Sequence, residues 1–324
     1  MKIYIQKDGQ ALGPFSKEEV KSKIYSGEFS RATSGCIEGS QEWKPLGSLL
    51  DDAPPVMSTA APPTGVSLDQ LRDPKEKTAL MWLYITSAPV WIFLVAITVA
   101  SYGVFLIYPL LLWLFIAFGQ AWFMSHLKTN AVRVSETQLP ELHRAVQSGA
   151  QRLGMECPEV YVLQHNVWNA FATKIFKRRV IVLFSGAVDS ILLKGDVEQL
   201  SFVIGHELGH HWAGHLDWKQ KIASLGGWLV WVNFWHSRRR ELTCDRVGLF
   251  CAGSLRSSQI AMANLTVGAQ LAAKVDANAL AAQWQQHAGE FFVRYRTLYS
   301  TYPQLLARMN HLNQAAEEFG MSRT

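Results

Sequence analysis

The architecture of this chain is decided by its most apolar stretch, TALMWLYITSAPVWIFLVAITVASYGVFLIYPLLLWLFIAFGQAWFMSHL, residues 78–127. This stretch contains no Asp, Glu, Lys or Arg. A helix needs about 20 apolar residues to cross a bilayer, so the stretch is long enough to cross twice. The tripeptide Ser101-Tyr102-Gly103 divides it and suits a tight turn. We therefore predict a two-helix transmembrane hairpin.

The alternative is a helical hairpin buried in a soluble core. It is disfavoured by Trp and Tyr side chains of the kind that lie at membrane interfaces, namely Trp82, Tyr84, Trp91, Tyr102, Trp113 and Trp122. Lys75 and Lys77 precede the stretch, Lys128 and Arg133 follow it, and the turn carries no charge. Positively charged flanks stay in the cytoplasm, so we expect the bulk of the protein there.

The overall composition agrees with a membrane protein. With 18% charged and 49% hydrophobic residues, the chain is too apolar to be disordered. The net charge of +5 comes from scattered basic residues without an aromatic-basic module, so we expect no nucleic-acid partner and favour anionic lipid. Four distant cysteines (Cys36, Cys157, Cys244, Cys251) form neither a disulfide framework nor a CxxC metal motif, which indicates reduced thiols.

The chain divides into four parts around the hairpin. Residues 1–50 predict a small α+β domain, in which Lys2–Gln6 is a strand and Ser16 caps a helix. Residues 51–77 contain the pairs Pro54-Pro55 and Pro62-Pro63 and predict a linker and juxtamembrane segment. Residues 78–127 form the hairpin, and residues 128–324 have the composition of a globular domain.

The sequence pattern of residues 128–324 predicts helices around a small sheet. A helix is expected over Pro140–Leu153, and two neighbouring strands over Glu159–Gln164 and Arg179–Phe184, with a loop containing Asn169 between them. Asp196 and Gln199 then predict the capped start of another helix.

That helix contains His206-Glu207-Leu208-Gly209-His210. Four residues are about one helical turn, so both imidazoles project from one face and can bind one zinc ion. Glu207 can reach a water on that metal and accept its proton. The pattern also arises by chance, so a third ligand is needed to support it.

Glu241 and Asp245 stand one turn apart on a second predicted helix. Glu241 could complete a His2Glu site, while Asp245 could accept the Nδ1 proton of a ligand imidazole. His215 does not fit the third-histidine pattern of HExxHxxGxxH, because that pattern places its third histidine at position 216, which is Leu216. His211 is expected at a packing or surface position, and Cys244 and Cys251 in the core.

The sequence resembles the HtpX-like membrane zinc metallopeptidases, the gluzincin family that also contains the CAAX prenyl proteases. The resemblance covers roughly residues 136–312 and rests on five motifs in order: Asn169-Ala170-Phe171-Ala172, the strand before Ser185-Gly186, HELGH, ELTCDRVG at 241–248, and Tyr302-Pro303 followed by Arg308. It implies a mainly α-helical, zincin-type α+β domain and a multi-pass protein, which we expect in the bacterial inner membrane.

The resemblance also implies residue roles. It makes His206, His210 and Glu241 the ligands of one Zn²⁺ per chain, Glu207 the general base, and Asp245 the residue that orients a histidine. Asn169 and Ala170 would border a cleft for a peptide or protein substrate, and the strand Arg179–Phe184 would hold that substrate by β-augmentation.

One motif departs from the family. Where the family has His-Pro, with a histidine thought to stabilise the oxyanion, this chain has Tyr302-Pro303. A phenol can still donate a hydrogen bond, so Tyr302 is a candidate catalytic residue. Arg308 resembles the family's arginine and is a candidate substrate-binding residue, with a plain surface charge as the alternative.

Residues 1–50 resemble a divergent GYF domain, a module that binds proline-rich peptides. Gly13-Pro14-Phe15 and Gly27-Glu28-Phe29 have the signature spacing, and Trp43 adds an aromatic side chain. Lys23 replaces a signature Trp and Glu28 the Tyr, which removes aromatic surface on which a polyproline helix stacks.

These features predict a membrane-anchored zinc endopeptidase that cleaves exposed or misfolded segments, with membrane proteins and their quality control as the expected setting. The rival is a non-catalytic membrane adaptor with a structural metal site and a peptide-binding N-terminal domain. The segment IASLGGWLVWVNFW, residues 222–235, is too short to span a bilayer. We expect it to be buried in the core, the alternative being a position at the membrane interface.

Overall fold

The computed structural model describes residues 2–7, 10–25, 28–30, 33–40, 42–50, 61–165, 167, 169–192 and 196–321. Gly27, Pro54 and Pro55, which the sequence analysis uses, lie outside the described residues. The described residues fall into two compact units, one within residues 1–58 and the other within residues 59–192 and 196–324.

The first unit is a small sheet with two helices. Its elements are β1 Lys2–Lys7, β2 Gln10–Ser16, α1 Lys17–Tyr25, β3 Ser34–Ile37, β4 Lys44–Pro45 and α2 Leu46–Leu50. The strands are antiparallel in the order β2-β1-β3-β4. Ile3, Ile5, Val20 and Leu46 form its core. The predicted cap is confirmed, because the Glu19 amide donates to Ser16 Oγ while the Ser16 amide donates to Glu19 Oε2.

An ion pair lies beside the aromatic side chains of this unit. Lys23 Nζ is 2.9 Å from Glu28 Oε2 and stands 5.2 Å from the Phe15 ring centroid and 5.8 Å from that of Phe29. The ammonium group therefore covers two rings at the position where the domain signature has an aromatic residue, while Trp43 stays exposed.

The second unit begins with the hairpin. Helix α3 spans Glu76–Ala100 and helix α4 spans Ile107–Asn130, with a turn and a short 3₁₀ segment between them. Gly103 has a φ of 84°, which favours glycine at this turn. Both helices are long and apolar enough to cross a membrane. The structure thus contains the two predicted apolar helices joined by a turn, and most of their side chains are exposed.

Both ends of the hairpin are attached to the rest of the second unit. At the start of α3, Ala79, Leu83 and Ser87 are buried at a spacing of four residues, so one face of the helix packs against protein. At the end of α4, Met124 and Leu127 pack into a cluster with residues of the second sheet.

That sheet has the strand order β5-β6-β8-β7. Its strands are β5 Val132–Arg133, β6 Glu159–Leu163, β7 Ala170–Ile175 and β8 Arg178–Phe184. The prediction that β6 and β8 are neighbours is confirmed, and the two strands pair in parallel. The prediction of a loop between them is only partly right, because the intervening segment contains strand β7, which pairs antiparallel with β8.

The prediction that Arg179–Phe184 is the strand that holds substrate is wrong. Arg179–Phe184 lies inside the sheet with a partner on each side, so its backbone groups are already paired. The edge strands are β5 and β7, and of these two β7 contacts the helix that carries the HELGH motif. A strand added beside that helix would therefore pair with β7.

Helices surround this sheet. They are α5 Pro140–Arg152, α6 Ser185–Leu192, α7 Val197–Trp212, α8 Trp218–Gly226, α9 Val230–Ala252, α10 Leu255–Val267, α11 Ala269–Ala272, α12 Ala277–His287, α13 Phe291–Leu298 and α14 Leu305–Glu318. The predicted start of α7 is confirmed, because the Gln199 amide donates to Asp196 Oδ1 at 2.9 Å.

Helices α7 and α9 approach very closely through glycines. A Cβ atom on Gly205 would lie 2.6 Å from Cys251 Cβ and 3.0 Å from Gly248 Cα. A Cβ on Gly209 would lie 3.1 Å from Cys244 Cα. Because ordinary contacts are 3.4–4 Å, only glycine permits this approach. The predicted core positions of Cys244 and Cys251 are confirmed.

The expectation that residues 222–235 are buried is wrong for their large side chains. The segment splits between the end of α8 and the start of α9. Leu225 is 73% exposed and Trp228 62% exposed, while Ala223 is buried. The end of α8 and the start of α9 turn only one face toward α3, which leaves Leu225 and the connecting Trp228 exposed.

Candidate metal centre

The two motif histidines lie on one face of α7, opposite the glutamate of α9. His206 Nε2 is 3.4 Å from Glu241 Oε2, and His210 Nε2 is 3.7 Å from Glu241 Oε1. The structure thus brings together the three predicted metal ligands from two helices. The glycine contacts between α7 and α9 make this approach possible.

Asp245 holds the other side of the His206 ring. Its Oδ1 atom lies 3.0 Å from His206 Nδ1, which leaves Nε2 directed toward Glu241. Arg308 donates to both carboxylate oxygens of Asp245, from Nε at 2.8 Å and from Nη2 at 2.6 Å. Burial would raise the pKa of Asp245, but the Arg308 guanidinium outweighs it and lowers the pKa to about 2.

The alternative reading of Arg308 as a surface charge is wrong, because its side chain is buried and ion-paired. Arg308 also lines the cavity beside the histidines. With two of its donors on Asp245, it holds the residue that orients His206.

Glu207 faces the same cavity from α7. Burial raises its pKa to about 7, and a hydrogen bond from the Ala172 backbone of the edge strand acts in the opposite direction. Its Oε2 atom is buried and has no hydrogen-bond partner among the described residues. An unpartnered buried carboxylate oxygen beside two imidazoles is suited to receive a proton.

The cavity has a volume of about 370 Å³ and collects the predicted site residues. Its walls include Asn169, Ala170, His206, Glu207, His210, Glu241, Tyr302 and Arg308. Tyr302 is 62% exposed at its mouth. The negative charge of Glu241, with some burial, raises the pKa of Tyr302, so the phenol keeps its proton at neutral pH.

The donor set fits zinc. Two imidazole nitrogens and a carboxylate are the ligands of many catalytic zinc sites. Burial would raise the pKa of Glu241, but its hydrogen bond with His206 lowers the pKa to about 2. Burial would lower the pKa of His206, but hydrogen bonds to Asp245 and Glu241 raise it to about 10. The site therefore favours a positive charge at His206 Nε2, where a metal would replace the proton.

A second set of three side chains also satisfies metal-binding distances. His206, His210 and Cys244 each offer one atom within 4.8 Å of the others. Cys244 is fully buried, contacts His215 Nδ1 at 3.6 Å and does not line the cavity. Burial raises the pKa of its thiol well above the ordinary value, which disfavours a thiolate ligand. Glu241 is the better third ligand.

Sequence reasoning missed the edge strand and its contact with Glu207. The segment Ala170–Ile175 (AFATKI) alternates weakly and has only one β-branched apolar residue, so its sequence does not indicate a strand. His211 takes the packing position expected for it, since it is buried with Nε2 3.2 Å from the Val180 carbonyl oxygen.

The chain is similar to known metallopeptidases. Residues 136–234 match the model of Peptidase family M48, and residues 4–50 match the model of GYF domain 2. The first match contains His206, Glu207 and His210 and ends before Glu241. No solved structure matches the chain.

Among curated proteins, three relatives are informative. A plastoglobule-localized metallopeptidase 48 of Arabidopsis thaliana chloroplasts is 29% identical over 142 residues, which are 38% of this chain and 39% of that protein. A protease HtpX homologue of Thermodesulfovibrio yellowstonii is 36% identical over 94 residues, 28% of this chain and 32% of that protein. Another from Thermococcus kodakarensis is 25% identical over 236 residues, 59% of this chain and 79% of that protein.

The alignments with the first two relatives span about two fifths of those proteins or less. The predicted resemblances to HtpX-like metallopeptidases and to GYF domains are confirmed.

Proposed function

We propose that this chain, an HtpX-like protein by sequence, is a membrane-anchored endopeptidase that uses one zinc ion. The observation that carries the proposal is the convergence of His206, His210 and Glu241 on one cavity wall with Glu207 beside them. Zinc bound there would act as a Lewis acid that polarises a peptide carbonyl and acidifies water. The small sheet beside the HELGH helix is the arrangement that a zincin-type fold requires.

Each side chain then has a distinct task. Glu207 takes a proton from the attacking water and passes it to the leaving amine, for which a pKa near neutrality is suited. Asp245, held by Arg308, keeps the proton of His206 on Nδ1 and leaves Nε2 free to bind the metal. Tyr302 donates a hydrogen bond from its phenol to the oxyanion that forms at the carbonyl.

The substrate is an extended segment of a peptide or protein. The edge strand β7 lies along the cavity, with Asn169, Ala170 and Ala172 in its wall. A strand added there would pair with β7 through backbone hydrogen bonds and pass close to Glu207. Asn169 uses its Oδ1 atom to accept from the Ala170 amide at 2.9 Å, which orders the entrance to this strand.

The membrane anchor is the pair α3 and α4, with both attached ends on the cytoplasmic side of a bacterial inner membrane. The flanking Lys and Arg residues support this orientation and an attraction to anionic lipid. Labelling of Cys157, which is exposed in the second unit, against a Cys introduced at Ser101 tests it. A membrane-impermeant maleimide added outside intact cells should reach position 101 and not Cys157; the reverse result refutes the orientation.

The N-terminal unit is a candidate site for proline-rich segments. Trp43 is exposed and can stack on proline, whereas the Lys23–Glu28 pair covers Phe15 and Phe29. We expect weak binding that depends on Trp43. Titration of a proline-rich peptide into the wild type and Trp43→Ala tests this, and equal affinities would contradict it.

The test of the main proposal is Glu207→Gln. This variant should still bind about one zinc per chain, since Glu207 is not a ligand, and should lose about 100-fold or more of the rate of casein cleavage. Glu198→Gln is a matched control on the same helix, where the glutamate accepts a hydrogen bond from Ser257. A Glu207→Gln protein that cleaves at the wild-type rate removes Glu207 as the base.

The second candidate function is a closed structural metal site, which the closeness of Cys244 to both histidines favours. Four protein ligands would leave no position for water. Cys244→Ser separates the two candidates. A structural site loses zinc in this variant, whereas the catalytic site keeps zinc and chelator-sensitive cleavage.

A further inference from the structure

The start of the first membrane helix reaches the metal centre from behind. Glu76, in the first turn of α3, is completely buried, although acidic side chains are rarely buried without a partner. Its carboxylate accepts from Arg72 Nη1 at 2.5 Å and from the Thr243 hydroxyl of α9. The two partners hold the carboxylate in one orientation.

The same carboxylate contacts a histidine that no step of the proposed mechanism uses. His215 Nε2 lies 3.1 Å from Glu76 Oε1, and His215 is 1% exposed. On the opposite edge of the ring, His215 Nδ1 lies 3.2 Å from His210 Nδ1. A continuous chain of hydrogen bonds thus runs from Glu76 through His215 to a metal ligand.

The positions of the protons in this series of hydrogen bonds follow from Glu76, the carboxylate at which it begins. A carboxylate paired with an arginine only accepts, so the single N–H of a neutral His215 is on Nε2 and points at Glu76. His215 Nδ1 is then an acceptor, and the contact requires His210 Nδ1 to carry the proton. His210 Nε2 is left with a free lone pair, and it is this nitrogen that faces Glu241 at 3.7 Å.

We propose that Glu76 is a positioning residue for the metal centre, which acts through His215 to hold His210 in the tautomer that binds metal through Nε2. Asp245 does the same for His206 directly. One ligand is therefore oriented from α9 and the other from the membrane anchor. The inference rests on the proposed function only in taking His210 as a ligand.

The first experiment needs no variant. The full chain, labelled with ¹⁵N-histidine and purified in detergent without metal, should show His210 protonated on Nδ1, with assignment by loss of its signals in His210→Asn. A wild-type His210 protonated on Nε2 would overturn the inference, whether or not any variant folds.

The second experiment is Glu76→Gln. The amide can donate to His215 Nε2, which would move the proton of His215 to Nδ1 and that of His210 to Nε2. We expect zinc affinity, measured by competition with a chelator, to fall about 10- to 100-fold, the range for loss of such an orienting partner. The absorption bands of the cobalt-substituted protein should also shift, because the geometry at the metal changes.

The matched control is Asp69→Asn, which removes the same charge from an exposed position in the same juxtamembrane segment and should leave affinity and spectrum unchanged. Equal zinc affinity of Glu76→Gln and wild type, with an unchanged His210 tautomer, refutes the inference alone. A wild-type protein that binds no zinc refutes the proposed function instead.

Discussion

The close contact between α7 and α9 gives the most demanding prediction, Gly205→Ala. The new methyl group would begin 2.6 Å from Cys251 Cβ and 3.0 Å from Gly248 Cα, neither of which is the far end of a flexible side chain. Relief of the first contact to an ordinary 3.4 Å requires a local separation of about 0.8 Å, the difference between the two distances. His206 lies on one of these helices and Glu241 on the other, so their distance changes too.

The magnitudes follow from this displacement. Zinc–ligand distances tolerate about 0.2 Å, so a shift of 0.8 Å is well outside the range of a good site. We expect at least a tenfold loss of zinc affinity. Overpacking costs about 1–3 kcal/mol and a helical Gly→Ala change returns about 1 kcal/mol, which leaves a net loss of roughly 0–2 kcal/mol. A loss at the upper end of this range lowers the melting temperature by about 4–8 °C.

The assay combines chelator competition with thermal unfolding of the detergent-solubilised protein. Gly119→Ala is the matched control, because Gly119 is also helical but has no atom within 4 Å of an added Cβ. The control should match the wild type in zinc affinity. A Gly205→Ala protein with wild-type affinity and an unchanged melting temperature would refute the argument that glycine contacts set the geometry of the site.

Three further predictions concern the charges of the site. Asp245→Asn should weaken zinc binding about 10- to 100-fold in chelator competition, because the amide carries no charge and keeps only one acceptor oxygen for His206 and Arg308. Asp217→Asn, which loses the ion pair with Lys174, should not weaken it. Zinc binding at pH 8 should release at least one proton in calorimetry across buffers, since the pKa of His206 is about 10 before the metal binds. The raised pKa also means that the metal-free protein loses stability as the pH rises from 6.5 toward 10, which thermal unfolding can follow. Release of no proton would contradict the assigned state of His206.

Local features of the site could be predicted from the sequence. The spacing of His206 and His210 places them on one helical face, and Asp196 marks where that helix begins. Glu241 was found because it stands one turn before Asp245 on a second helix. Each of these inferences needs only the helical period and the preferences of metal ligands.

The remaining features depend on contacts between distant segments. Arg308 meets Asp245 across 63 positions, and His215 meets Glu76 across 139. Nothing near Glu76 in the sequence distinguishes it from an ordinary acidic residue at a helix start, where it also suits the helix dipole. Its burial follows only from the packing of α3 against α8 and α9.

For the proposed endopeptidase, the edge strand β7 has a consequence for the choice of substrates. A chain that pairs with an edge must first give up its own hydrogen bonds over several residues. A tightly folded protein would have to break these hydrogen bonds in order to bind, whereas frayed termini and damaged regions have already lost them. The selection of substrates at this cleft would thus depend more on how loosely a substrate is folded than on its amino-acid sequence.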